Sequence, residues 1–385
     1  MITFKHLSLG IAAGMLLALA SCAEKEEKTQ AATPDPFAIQ TEKIKLKIDT
    51  LYSELISPWG MTWLPDGTML IVERKGEILV FKDDKFTGNK LTGVPAVSEV
   101  NQAGLLDIAA HPKYAENGWI YLSYARKASK GEVLVISRAK LSGNALTDLQ
   151  EIFVCNPEWE GGRHFGSRIV FDNEGYLYFS NGDKGSRPMN AQELNNDHGK
   201  IHRIKDDGSI PADNPFVNTP GASPSIWTYG NRNPQGMIYD KANNRIWAVE
   251  HGPKGGDELN LIEKGKNYGW PVISYGINYD GSILTELTEK EGMEQPVTYW
   301  VPSIATCGMT VVTSDKYPEW KGNILVGGLA GMQIARVELE GTKYKSQEVL
   351  LKDIGRVRQV SESPDGYIYA ITEATGLLVK LVPQR

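Results

Sequence analysis

The sequence predicts an all-β chain folded as a six-bladed β-propeller with long rim insertions, and three observations carry that prediction. A phrase built of an apolar strand, a turn and a second β-rich strand recurs six times. Each copy turns through Asp-Gly, Glu-Gly, Asn-Gly or a related pair with apolar residues on both sides, the mark of a hairpin in a half-buried antiparallel sheet. No stretch from Ile44 to the C-terminus keeps helical periodicity over several turns.

From the N-terminus, the first element is a leader. Lys5 heads an apolar run from Leu9 to Ala20 that is too short to span a bilayer as a mature helix, so it reads as a signal peptide. Leu19-Ala20-Ser21-Cys22 ends the run in the pattern of a lipoprotein signal, so residues 1–21 are expected to be removed and Cys22 acylated. Residues 22–43 are expected to form a linker. As far as Pro36 they are charged, Ala/Thr/Pro-rich and without apolar periodicity, and such a stretch cannot bury enough surface to fold. The protein is thus expected to be exported and lipid-anchored to a bacterial membrane, periplasmic or at the cell surface. A formal charge of −6 without a basic patch argues against nucleic acid as a partner. Cys155 and Cys307 lack metal-ligand spacing, and spacing alone leaves open a disulfide or two separate buried thiols.

Residues 44–385 are expected to hold the propeller, its six phrases lying at 58–73, 104–125, 165–183, 234–252, 307–329 and 357–373. A period of roughly 40–70 residues with several short strands per unit suits blades that bury both faces against their neighbours, not a helical solenoid. A pair of β-sandwiches would not explain six similar phrases. Uneven spacing places the long insertions at 184–226 and 254–300, at the rim of the channel where propellers build sites.

Polar residues that a plain β-structure does not need gather at strand ends. His164 follows Gly161-Gly162-Arg163 at the start of a strand whose hairpin partner ends in Gly182-Asp183, so the hairpin can bring both side chains to one rim. A carboxylate beside an imidazole orients it and raises its basicity, as a general base for an alcohol proton requires. The bland alternative is a histidine tied to a loop carbonyl. Arg232 sits among turn formers in YGNRNPQG, while Arg356 and Arg358 alternate on one strand and therefore share a face. On an acidic chain, guanidinium groups facing a channel suit an anionic, carboxylated ligand; surface salt bridges are the alternative. In HGPKGGDELNLIEKGKNYGWP (251–271), Gly and Pro leave main-chain carbonyls unpaired close to Asp257 and Glu258. Hard oxygen donors of this kind suit calcium, but the spacing is not that of a helix-loop-helix site, so a plain insertion loop is the default.

In chain order, GLLDIAAHP, RHFGSRIVFD, GNRNPQG, HGPKGGDELN, NYGWP and RVRQVSESPDG resemble the phrases of the pyrroloquinoline quinone-dependent glucose/sorbosone dehydrogenase family, specifically its soluble aldose sugar dehydrogenases. The resemblance runs from about Leu51 to Leu381. It implies a six-bladed propeller with the quinone over the channel mouth. It implies an oxidoreductase that converts the anomeric hydroxyl of aldose sugars to lactones by hydride transfer to the quinone, then hands electrons to an acceptor outside the cytoplasm. Position by position, it implies that His164 is the base, that Asp183 supports it, and that Arg232 polarises the reacting quinone oxygen with Asn233 beside it. Gln102, Ser303, Arg356 and Arg358 match cofactor-binding positions, Ser303 standing where a threonine is expected. The main-chain carbonyls of Gly252 and Pro253 match ligands of a calcium ion that acts as a Lewis acid. Glu258 and Tyr268 match positions that hold a structural calcium. Ala330 stands where glucose-oxidising members carry a lysine against the quinone, a departure that fits the aldose enzymes of looser specificity. Two other readings are a propeller lactonase and a non-catalytic carbohydrate- or partner-binding propeller. The first needs side-chain carboxylates or amides converging on the axis, where this sequence offers mainly backbone groups; in the second His164 would be dispensable.

Overall fold

A computed structural model describes residues 38–384. The leader, Cys22 and the linker as far as residue 37 lie outside the described residues. Two strands come first, β1 (Ala38–Gln40) and β2 (Lys45–Tyr52). Blade 1 follows as β3 (Pro58–Trp63), β4 (Met69–Glu73), β5 (Glu77–Lys82) and β6 (Lys85–Lys90). Blade 2 holds β7 (Leu105–Ala110), β8 (Trp119–Ala128), β9 (Gly131–Ser142) and β10 (Ala145–Val154). Blade 3 holds β11 (Ile169–Phe171), β12 (Leu177–Asn181), β13 (Lys200–Ile204) and β14 (Ile226–Tyr229). Blade 4 holds β15 (Pro234–Asp240), β16 (Arg245–Glu250), β17 (Asp257–Ile262) and β18 (Thr298–Trp300). Blade 5 holds β19 (Thr306–Val311), β20 (Ile324–Gly328), β21 (Gln333–Glu340) and β22 (Lys343–Leu350). Blade 6 begins with β23 (Arg356–Glu362), β24 (Ile368–Glu373) and β25 (Leu378–Gln384). It is completed from the other end of the chain, in the order β1-β2-β25-β24-β23.

Every recurring phrase is the inner hairpin of one blade. Its second strand reads as an unbroken apolar run because both faces are covered. In β4, Leu70 and Val72 pack toward blade 2, while Met69 and Ile71 pack with Tyr369, Ile371 and Leu378 of blade 6. The period of two thus divides one strand between two neighbours. Each such fully buried side chain contributes about 1.5–3 kcal/mol relative to exposure.

Two expected boundaries move. β1 lies inside the segment expected to be linker, so the fold begins by residue 38 and not at 44. Three residues pair there, Ala38 to Gln40 against Lys47 to Lys45, and a strand so short, followed by charged Glu42 and Lys43, carries no periodic signal. The spans 184–226 and 254–300 are not wholly insertions either, since they contain β13, β17 and β18. The excursions proper are 182–199, 205–225 and 263–297. β13 escaped notice because its sequence, KIHRI, buries Lys200, His202 and Arg203.

On the axis, one side chain joins the whole ring. Arg168, immediately before β11 and 2% exposed, donates Nε to the Gln235 carbonyl at 2.6 Å and Nη1 to the Trp59 carbonyl at 3.3 Å and Asp107 Oδ1 at 3.2 Å. Its Nη2 reaches the Arg358 carbonyl at 2.9 Å and Cys307 Sγ at 3.7 Å. These five acceptors lie one on each of the other five blades. Cys155 and Cys307 are separate, buried free thiols. Among the described residues no helix is long and apolar enough to cross a membrane.

Candidate active site

The ends of the blade 3 hairpin set the site. Gly182 follows β12 where the chain passes His164 so closely that a Cβ would lie 2.2 Å from the His164 carbonyl oxygen. That close approach puts Asp183 beside the imidazole. His164 has φ of 55°, the left-handed region that non-glycine residues seldom occupy, and its amide donates to Gln102 Oε1 at 3.0 Å. His164 Nδ1 lies 2.6 Å from Asp183 Oδ1. The other carboxylate oxygen accepts the indole N–H of Trp270 at 2.7 Å, and Oδ1 also accepts the Gly185 amide at 2.8 Å. A carboxylate with this many donors stays ionised. Burial alone would push Asp183 up, but the bond and charge of His164, with Arg232 and Trp270, hold it below the usual carboxylate value. Burial likewise pulls His164 below the ordinary imidazole value, against the pull of Asp183. The ring is therefore neutral at pH 7, its Nδ1–H given to Asp183 and Nε2 left as the proton acceptor.

Arg232 stands against this pair. The Asp183 amide donates to the Arg232 carbonyl at 2.8 Å, and the guanidinium lies 5.1 Å over the ring of Trp270. Its Nη1 donates to the carbonyls of His251 at 3.1 Å and Gly252 at 2.8 Å. Asn233 presents Oδ1 to the Gly166 amide at 3.0 Å, and its Nδ2 is buried without a partner.

Beside them a cavity of about 330 Å³ is lined by Gln102, Arg356 and Arg358, and also by Arg74, His251 and Glu373. The paired arginines form ion pairs and also line the cavity. Arg356 Nε and Arg358 Nη2 meet Glu373 at 3.4 Å and 2.8 Å while facing the same cavity, and Arg358 lies 3.9 Å over Trp59. The Nε groups of Arg74 and Arg358 are buried without partners, unused donors that suit an anionic ligand, and His251 Nε2 is unpartnered beside them.

The remaining expected residues lie elsewhere. Ser303 does not line this cavity; its hydroxyl donates to Asp257 Oδ1 at 2.7 Å and accepts the Ala305 amide at 3.0 Å. Ala330 is exposed. Glu258 faces Glu250 across the β16–β17 pairing; burial pushes both carboxyls up, and the Glu250 charge raises Glu258 further. Both line a void of about 10 Å³ with Gly252 and Tyr268. The Tyr268 hydroxyl is already engaged, donating to the Leu261 carbonyl at 2.6 Å and accepting the Glu263 amide at 2.9 Å. Among the described residues no three His, Cys, Asp or Glu side chains form a metal-binding group. Arg74, Glu250 and Trp270 were missed in the sequence. Trp270 lies within the NYGWP phrase, but its partner Asp183 is 87 residues away.

Fold and site together define a six-bladed propeller with a neutral histidine paired to an aspartate and an arginine-lined cavity beside them. Residues 55–380 match the model of the glucose/sorbosone dehydrogenase family, and the chain belongs to that family. It is 40% identical to the aldose sugar dehydrogenase YliI of Escherichia coli K12, over 88% of this chain and 93% of that one. The crystal structure of the soluble aldose sugar dehydrogenase from Escherichia coli in the apo-form superposes with a TM-score of 0.85 at 38% identity, covering 88% of this chain and 100% of that one. The PQQ-bound form of the aldose sugar dehydrogenase from Streptomyces coelicolor gives a TM-score of 0.72 at 28% identity, covering 89% and 99%.

Proposed function

We propose that this chain oxidises the anomeric hydroxyl of aldose sugars to the lactone, with pyrroloquinoline quinone as cofactor. The observation that carries the reading is the His164–Asp183 pair, 2.6 Å apart beside Arg232 and the arginine-lined cavity. The residues fit a carboxylated quinone: Arg74, Arg356 and Arg358 supply positive charge, with Gln102 on the wall and buried N–H groups awaiting acceptors. When bound, the quinone supplies the hydride acceptor. His164 Nε2 takes the proton of the anomeric hydroxyl, so that the C1–O bond closes to the lactone carbonyl as the C1 hydrogen departs. Asp183 stabilises the imidazolium that forms and holds the ring in one tautomer. Arg232, fixed by Trp270 and two main-chain carbonyls, directs positive charge to the same mouth. Gln102 holds the His164 backbone in its left-handed conformation.

Calcium belongs to this reading as well. Buried Glu250 and half-buried Glu258 face each other and need a proton or a cation between them, and the adjoining void is of single-ion size. The Gly252 carbonyl has one lone pair committed to Arg232 and a second to offer. The leader and Cys22 support an exported, lipid-anchored protein, periplasmic or cell-surface, that passes its electrons to an acceptor outside the cytoplasm. A lactonase would need carboxylates or amides converging on the axis, where the Arg168 guanidinium sits instead.

The test is titration of the apoprotein with pyrroloquinoline quinone and calcium, followed by dye reduction with a panel of aldoses. Saturable quinone binding and sugar-dependent dye reduction are expected. Lack of quinone binding overturns the reading; binding without turnover on any aldose favours the non-catalytic propeller.

A further inference from the structure

The excursion between β17 and β18 does two things that neither its composition nor the sugar chemistry explains together. Its first part reaches the site, where Trp270 donates to Asp183 at 2.7 Å. Its second part turns outward through Asn278, whose amide donates to the Ser282 carbonyl at 3.0 Å, and exposes Tyr279 at 72% and Ile283 at 67% on the two sides of that turn.

The exposed apolar groups are not scattered. Ile277 pairs by main-chain bonds with Lys254, which follows Pro253. Tyr275 stacks on the exposed Tyr299 at 3.8 Å. Val301, 62% exposed, lies just beyond, beside Gly255. This apolar surface adjoins the Gly252–Gly256 loop, whose Gly252 carbonyl accepts the Arg232 guanidinium. Contiguous apolar surface of this kind beside a site marks a protein contact. Residues 275–291 carry exposed Asp280, Glu286, Glu289 and Glu291 against exposed Lys290. Exposed Lys254 joins the patch beside Ile277, while Lys264 and Lys266, earlier in the excursion, are paired with Asp213 and Glu294, so the apolar centre keeps a net acidic rim.

Resting on the sugar-oxidising reading above, we propose that this face docks the electron acceptor, and that the acceptor is a one-electron carrier protein with a basic ring around an apolar cofactor edge. The stoichiometry requires two encounters per turnover. One aldose loses its C1 hydride and its hydroxyl proton, two oxidised carriers each gain one electron, and two protons pass to solvent. An acidic rim serves that repeated, brief encounter. It steers a basic partner and accelerates association at low ionic strength, while the small apolar centre lets the product leave quickly.

The experiment uses quinone-loaded protein, one saturating aldose and three acceptors: a small dye, a basic c-type cytochrome and an acidic one. The wild type is expected to reduce the basic cytochrome faster than the acidic one, with a rate that falls steeply as salt rises. Tyr279→Ser/Ile283→Ser is expected to lower the rate with the basic cytochrome by about tenfold while dye reduction is unchanged, which also certifies folding. Glu286→Gln/Glu289→Gln/Glu291→Gln is expected to flatten the salt dependence. Equal cytochrome rates in both variants and the wild type, with dye reduction intact, overturn the docking proposal alone. So does conversion of a wild-type dimer to a monomer by Tyr279→Ser/Ile283→Ser, which would assign the face to a second copy of the chain. Failure of the wild type to reduce the dye overturns the sugar-oxidising reading, and the docking proposal with it.

Discussion

In the proposed reaction His164 serves as base only while Asp183 keeps the ring proton on Nδ1 and leaves Nε2 bare. Asp183→Asn removes the charge and lets the amide select the wrong tautomer, so kcat should fall by about 10²–10⁴-fold, with quinone affinity in a fluorescence titration at the wild-type level. Because burial holds His164 below the ordinary 6.5, kcat/KM should be flat above that pH and decline only below it, as the ring gains its proton. An acid limb centred above 6.5 in the wild type would contradict the assignment. The histidine and aspartate were legible because the two ends of a single hairpin carry them. Arg168 and Arg74 were not. Arg168 lies inside a quoted phrase, yet its acceptors are 61 to 190 residues away, and nothing in the local pattern separates it from a surface arginine.

At the level of elements, the β11–β12 hairpin is the part that sequence could not tune loosely. Gly182→Ala places a methyl against the His164 carbonyl, so it should cost about 1–3 kcal/mol in denaturant unfolding and reduce turnover more than that loss of stability explains. Inner hairpins were legible throughout, since their strands are covered on both faces and bounded by turn residues. Outer strands were not. β6 and β22, reading KFTGNK and KYKSQEVL, are largely exposed, and a strand that faces water has no apolar period to display. The β16–β17 pairing makes its own prediction. Calcium should raise the thermal midpoint of the wild type, by about 2.7 kcal/mol of stabilisation at a hundred times its Kd, and Glu258→Gln should abolish most of that rise.

Across the whole molecule, six separate sheets share one guanidinium. Arg168→Met leaves Asp107 buried without its cation and four other acceptors without a donor. Guanidinium chloride unfolding should show a loss of about 3–5 kcal/mol, part of it recovered by also changing Asp107→Asn. A loss below about 1 kcal/mol, within the range of ordinary surface substitutions, would mean that the blades hold the ring without the pin. Six-fold repetition was plain in the sequence, but this convergence was not, because periodicity describes each blade and says nothing of what all six meet.

The pairing of β2 with β25, from Lys45 opposite Gln384 to Tyr52 opposite Leu378, also sets a timetable. A ribosome delivers β2 ahead of blade 1 and β25 only after blades 1 to 5. Until then the nascent polypeptide is an open fan with a bare strand edge at each side, and no early blade can complete the circle. Joining ends so distant adds little entropy cost over a shorter span, since that cost grows only logarithmically, but contacts so remote in sequence form slowly. A stalled or clipped chain lacking β25 therefore keeps every inner hairpin and still presents an unpaired edge to proteases and to other unfinished chains.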